Sequence, residues 1–260
     1  MSLGRAKPFL VSGIRAAPAH WSVSYIVEKA GDIAIPVACV NDGDYRQATS
    51  QTMSLGNYVD QLKHSEQNDA TVPYLAELSY DEHFPDLARE LVSPPNLRGE
   101  KFTSRVMYLG KTVNSQIHYH PRGSAMLFCI AGRKLVRLYA PTQGRYLYPV
   151  PGTNFSEVLG SATGLSAPEY DKARYPEFAK AKYIEVLIEP GDVLMIPIYW
   201  WHGIQNFDEI SLTAVYFWHR LAQPWPKQLL PEHWPPAGRR ARYFKSKYKR
   251  ILDRLRPKPR

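Results

Sequence analysis

Three histidines carry the most chemistry per residue in this chain. His118 and His120 are separated by one tyrosine, and His202 follows 82 residues later in Trp200-Trp201-His202. On an extended strand side chains alternate between faces, so His118 and His120 share one face and Tyr119 takes the other. Two imidazoles on one face can converge on a single ion at ~2.0–2.1 Å, and a third can reach it from across a barrel. Three ligands on one side of an ion leave its other side open to substrate and oxygen. Taken singly, the pair also reads as surface or core histidine, and His202 between tryptophans as a hydrogen-bonded core residue.

The elements that must position them follow from residue pattern. Before residue 101 the chain mixes elements: a strand over 8–11, a helix over 22–30 and a strand over 33–40. Ser54 then caps a helix with Leu55, Tyr58, Val59 and Leu62 at helical spacing, and a short helix covers 84–91 before Pro94-Pro95. From residue 101 the pattern predicts strands over 102–109, 115–120, 125–131, 134–139, 184–188, 193–196, 200–205 and 210–218. These runs are rich in β-branched and aromatic residues and are punctuated by Gly and Pro. Glu189-Pro190-Gly191-Asp192 supplies a tight turn. About eight strands in some 120 residues suit a jelly roll or barrel. The expected organisation is N-terminal strands and helices over 1–100 packing on a double-stranded β-helix over 101–221, then a Pro-rich and basic tail over 222–260. The connection 142–182 exceeds the ~15 residues of ordinary loops and reads as a lid or binding loop.

Within that frame, three stretches resemble the JmjC/cupin-like oxygenases that use iron and 2-oxoglutarate, most of all the factor-inhibiting-HIF-like hydroxylase branch. They are His118-Tyr119-His120, the run from Ile130 to Pro141, and the string Gly191-Asp192-Val193 through Pro197 to Trp200-Trp201-His202. Tyr216-Phe217-Trp218 ends the final matching strand, and Lys7-Pro8-Phe9-Leu10-Val11-Ser12-Gly13 and Met53 to Tyr58 match upstream. The resemblance implies an all-β core with flanking helices, an Fe(II) site and 2-oxoglutarate as cosubstrate. His118 and His202 fall on the two metal histidines. Lys134 falls on the lysine that pairs with the far carboxylate of the keto acid, a charge that needs neutralising inside a barrel. Ser115 and Tyr74 fall on hydroxyls that bind the same carboxylate. Tyr119, Ala125, Trp200, Tyr216 and Trp218 are expected to shape the substrate pocket.

One departure matters. The family pattern is His-x-Asp, and this chain has His120 at the acidic position. A neutral imidazole leaves the bound metal one more unit of positive charge than a carboxylate would, altering oxygen activation and metal preference. The chemistry expected is hydroxylation of an unidentified C–H bond in a protein side chain, RNA base or small molecule, with molecular oxygen consumed. The alternatives are a three-histidine oxygenase that needs no 2-oxoglutarate, and a catalytically silent metal-binding recognition protein. Three histidines and a water also suit zinc.

Composition bounds the rest. The chain has 260 residues, 44% hydrophobic, enough for a full core. It has 22 prolines where about 13 would be ordinary, favouring many short strands over a helical bundle. Two cysteines make no disulfide framework, and neither a secretory signal nor an apolar run of ~18 residues is visible, so a cytoplasmic location is expected. The net charge of +9 resides in residues 239–260, which carry eleven Lys or Arg and one acid; the rest of the chain sits near −1. There Phe244, Tyr248, Ile251, Leu252 and Leu255 fall at helical spacing among basic residues. Such a helix suits packing on the barrel, a homodimer contact, a membrane surface or an acidic macromolecule.

Overall fold

A computed structural model describes residues 7–15, 17–39, 49–65, 74–111, 115–151, 153–158, 170–206 and 210–220; the basic tail lies outside them. Eleven strands and four short α-helices occur among these residues, in the order β1 (Phe9–Val11), α1 (Val23–Ala30), β2 (Ala34–Cys39), β3 (Thr49–Ser54), α2 (Leu55–His64), β4 (Leu75–Ser79), α3 (Tyr80–His83), α4 (Pro85–Glu90), β5 (Glu100–Gly110), β6 (Ala125–Ala131), β7 (Lys134–Tyr139), β8 (Tyr183–Ile188), β9 (Val193–Ile196), β10 (Trp201–Asn206) and β11 (Ser211–Arg220). The caps follow the sequence: Ser22 accepts from the Tyr25 amide and Ser54 from the Asn57 amide. Gly191, at φ 95°, takes the third position of the β8–β9 turn, which closes with the Asp192 amide donating to Glu189 O at 2.9 Å.

Two antiparallel sheets form the jelly roll, one of six strands (β1-β9-β6-β11-β5-β4) and one of three (β10-β7-β8), while β2 and β3 pair apart. The N-terminal strands β1 and β4 therefore extend the barrel's own sheet. The strands β3 and β4 were not evident from pattern, the latter because its pairing breaks between Leu75 and Leu78. Residues 115–120, expected as a strand, make isolated bridges instead: His118 exchanges both backbone hydrogen bonds with His202, at 2.9 and 2.7 Å. Ser115 Oγ accepts from the Ile204 amide in place of a ladder carbonyl, and Pro121 offers no amide to continue.

The central strands β9, β6 and β11 of the six-stranded sheet are buried on both faces, which explains runs such as β6 with no polar residue. Along β11, Leu212, Ala214, Tyr216 and Trp218 pack outward against the core formed with α1–α4. Val215 turns inward with Ala125, Leu127, Val136, Leu138 and Ile196 to form the barrel interior. A third cluster, with Ile117, Tyr119, Tyr139, Leu147 and Trp201, lies under the long β7–β8 connection. Gly123 sits in the turn that carries the chain from His120 into β6, and a Cβ there would lie 1.6 Å from the Trp218 carbonyl oxygen. That oxygen belongs to a paired strand and cannot withdraw. Gly123→Ala is expected to destabilise the fold by at least about 3 kcal/mol, the upper end of overpacking costs, in chemical denaturation.

Candidate metal centre

The bridge between His118 and His202 places two imidazoles beside each other, and one residue further along the same face comes His120. On its other side His118 bridges Phe155, whose ring stacks on it at 5.6 Å between centroids. Ring centroids within the triad lie 4.3 Å (His118–His202), 4.6 Å (His120–His202) and 5.5 Å (His118–His120) apart. One nitrogen from each lies within 4.8 Å of the others, close enough to share an atom. His202 is buried; His118 and His120 are half-buried in the cavity wall.

The donor set fits a divalent metal. His118 Nδ1 sits 2.8 Å from Gln116 O, and His202 Nδ1 lies 3.0 Å from Trp200 O. A carbonyl oxygen only accepts, so both Nδ1 atoms carry the proton and both Nε2 lone pairs are free for a metal. Burial holds all three imidazoles below their ordinary value, His120 down to about 3, with the neighbouring imidazoles contributing at His120 and His202. The shift favours the neutral, ligand-competent form of all three. His120 differs: its Nδ1 is buried and has no hydrogen-bond partner. Its ring is thus oriented by packing, including an edge contact with Phe217 at 5.2 Å, rather than by a second hydrogen bond.

The triad opens into a cavity of about 410 Å³ between the two sheets. At its buried end lies Lys134, opposite Asn206 in the β7–β10 register, with Nζ donating to Asn206 Oδ1 at 2.9 Å. No carboxylate pairs with this amine among the described residues, and burial lowers it to about 8. Asn206 Nδ2 and Thr213 Oγ1, which line the same cavity, are buried without hydrogen-bond partners. A cation and two unpaired polar groups aimed into one pocket form a receptor for an anion of carboxylate size. Ser115 and Tyr74 also line the cavity. Ser115 Oγ already accepts from Ile204 and retains its hydrogen to donate. Burial raises the Tyr74 phenol, which keeps its proton.

The metal and keto-acid candidates thus meet in one cavity, whereas none of the five expected substrate-pocket residues lines it. Tyr119 packs in the cluster under the β7–β8 connection, 4.6 Å from the Trp201 ring. Tyr216 and Trp218 face the helical side, donating to Val92 O and Pro95 O. The inward side of β11 is thus the one opposite to that expected, because strands buried on both faces show no polar alternation to mark which side is inward. Ala125 faces the barrel interior and Trp200 packs against it, but neither lines the cavity. Thr213, Val215 and Phe217 are the cavity residues of β11, joined by Leu127, Asn154, Phe155 and Glu77. Thr213 had a signal in the sequence, being a polar residue within the apolar run of β11, whereas Asn206 ends a strand that already holds His202 and Gln205 and has no such mark. Asn154 and Phe155, which line the cavity, come from the 142–182 connection.

A jelly roll that gathers three neutral imidazoles beside an open cavity defines a cupin-type metal site. A cupin-like domain model matches residues 2–223, and the chain belongs to that family. Among its relatives, lysine-specific demethylase 8 of Xenopus tropicalis is 27% identical over 203 residues, 76% of this chain and 44% of the relative. The tRNA wybutosine-synthesizing protein 5 of Gallus gallus is 29% identical over 238 residues, 84% of this chain and 72% of that protein. Jumonji C domain-containing protein 5 of Drosophila melanogaster is 26% identical over 214 residues, covering 76% and 52%. The chain spans about half the length of the demethylase and Jumonji relatives. No helix among the described residues is long and apolar enough to cross a membrane.

Proposed function

We propose that this chain is an Fe(II)- and 2-oxoglutarate-dependent oxygenase that hydroxylates a C–H bond of a substrate bound at the cavity mouth. The observation that carries this reading is the buried, uncompensated Lys134 amine, with Asn206 Nδ2 and Thr213 Oγ1 unpaired beside it, in the same cavity as the three imidazoles. An oxygenase that bound its substrate directly to the metal would have no use for that receptor. A dicarboxylate satisfies it, with one carboxylate taken by Lys134, Asn206 and Thr213 and its other end left to reach the metal.

His118, His120 and His202 would hold the iron, the first and last oriented by their Nδ1–H donors. When bound, iron and 2-oxoglutarate would supply the oxidation: the keto acid takes one atom of molecular oxygen and loses carbon dioxide to become succinate, and the other oxygen atom enters the substrate C–H bond. Ser115 and Tyr74 would donate to the keto acid's far carboxylate alongside Lys134. Leu127, Ile204 and Val215 give the cavity an apolar wall that limits water around these charges. The relatives are named for a lysine-specific demethylase and for a tRNA wybutosine-synthesizing protein, so the substrate of this chain is to be read from its site and not from the shared fold.

The test is succinate release from 2-oxoglutarate by Fe(II)-loaded protein in air, paired with calorimetric binding of the keto acid. Keto-acid binding and iron-dependent succinate are the expected outcome. Oxygen consumption that proceeds without the keto acid would assign the three-histidine oxygenase instead. Metal uptake with neither would leave a recognition protein.

A further inference from the structure

The cavity has a second charged group that the keto-acid reading does not use. Where β4 pairs with β5 the register passes from Leu75↔Leu109 to Leu78↔Met107, so Ala76 and Glu77 together oppose Tyr108. This bulge turns both residues toward the cavity, which they line. Glu77 holds φ at 55°, a left-handed conformation that a β-carbon disfavours and that glycine adopts freely. A bulge with a strained, non-glycine residue at a site is a device for aiming a side chain. Its carboxylate is exposed and accepts from the Tyr108 hydroxyl at 3.3 Å. It is the single acid among the described cavity-lining residues, and no Lys or Arg pairs with it among the described residues. The walls around the cavity carry the aromatic rings of Tyr74, Tyr108, Phe155 and Phe217, Tyr74 and Tyr108 lying 6.3 Å apart between centroids.

From this juxtaposition we infer that Glu77 is the specificity residue for a cationic nitrogen on the substrate, an ammonium or guanidinium group received at the cavity mouth among aromatic rings. A carboxylate neutralises such a group, and aromatic faces attract it through their quadrupoles. An anionic group would be repelled by Glu77 and drawn past it to Lys134. The two charges thus sort their ligands by sign, the anion at the buried end and the cation at the exposed one. The inference deepens the oxygenase reading and rests on it for the word substrate.

Binding of butylguanidinium, butylammonium, neutral butanol and butyrate to the full chain loaded with metal and 2-oxoglutarate tests it by NMR titration. The wild type is expected to favour one of the two cations over butanol by about tenfold, and Glu77→Gln to reduce that preference to within about twofold. Glu77→Gly is expected to lose the preference too, with a melting temperature equal to or above wild type because glycine suits φ 55°. The proposal fails if butanol or butyrate binds as tightly as the better cation, if no probe binds, or if Glu77→Gln keeps the tenfold preference. Calorimetry of 2-oxoglutarate alone separates the two readings. A wild type that selects the cation yet ignores the keto acid would keep Glu77 as receptor and remove the cosubstrate.

Discussion

Replacing His202 by alanine is expected to abolish metal binding, leaving no stoichiometric iron by elemental analysis after purification and dialysis. His202 is the buried member of the triad, and its ring is fixed by Nδ1–H donation to Trp200 O and by the backbone exchange with His118. Loss of a second-sphere partner alone costs roughly 10–100-fold in metal affinity, and removal of a ligand itself costs more. The variant should still fold, because its backbone bridge to His118 is independent of the side chain; circular dichroism checks this. His120 should behave differently. With no hydrogen bond on Nδ1, its ring is held by packing alone. His120→Asp supplies a charged ligand in the same place, and we expect it to retain iron. Turnover above wild type in that variant would show that the third imidazole attenuates the native site, since a carboxylate lowers the metal's net charge by one. Should His202→Ala hold iron as wild type does, the three nitrogens do not share an ion.

Lys134→Met is expected to weaken 2-oxoglutarate binding by roughly 30-fold to several thousandfold, the range for removing one partner of a buried charge pair. Metal content should be unchanged, since Lys134 is not one of the three clustered histidines. Free of ligand, the variant should be as stable as wild type or more so, because methionine replaces a buried amine that has only Asn206 for company. The pH dependence carries the signature. With the free amine near 8, wild-type affinity for the keto acid should be level below pH 8 and fall by up to about tenfold per unit above it. Lys134→Met should show no such fall. Stability runs the other way. The unfolded lysine titrates near 10.4, so between about 8 and 10.4 the unfolded chain holds more protons than the folded one. Wild-type stability therefore gains from this group as pH rises through that window, and the methionine variant should lack the gain. An unaltered keto-acid affinity in Lys134→Met would remove the receptor from the buried end.

How much of this could be read along the chain depends on the range of the interaction concerned. Ser54 as a cap, the helix behind it, the ends of β6, β7 and β9, and the β8–β9 turn are set by residues within a few positions of one another. Sequence determined these by itself. The shared face of His118 and His120 is likewise a matter of backbone period, and it survives even though the segment forms isolated bridges. Tertiary structure alone decided which face of β11 is inward, because apolar residues on both sides of a doubly buried sheet erase the alternation. It also decided the contents of the cavity. Asn206 comes beside Lys134 only through the β7–β10 register, Thr213 only through β11, and Glu77 only through a bulge whose two-against-one pairing no local pattern announces. Their chemistry arises from convergence of strands far apart in the chain, where relative orientation is a property of the packed sheets and not of any one segment.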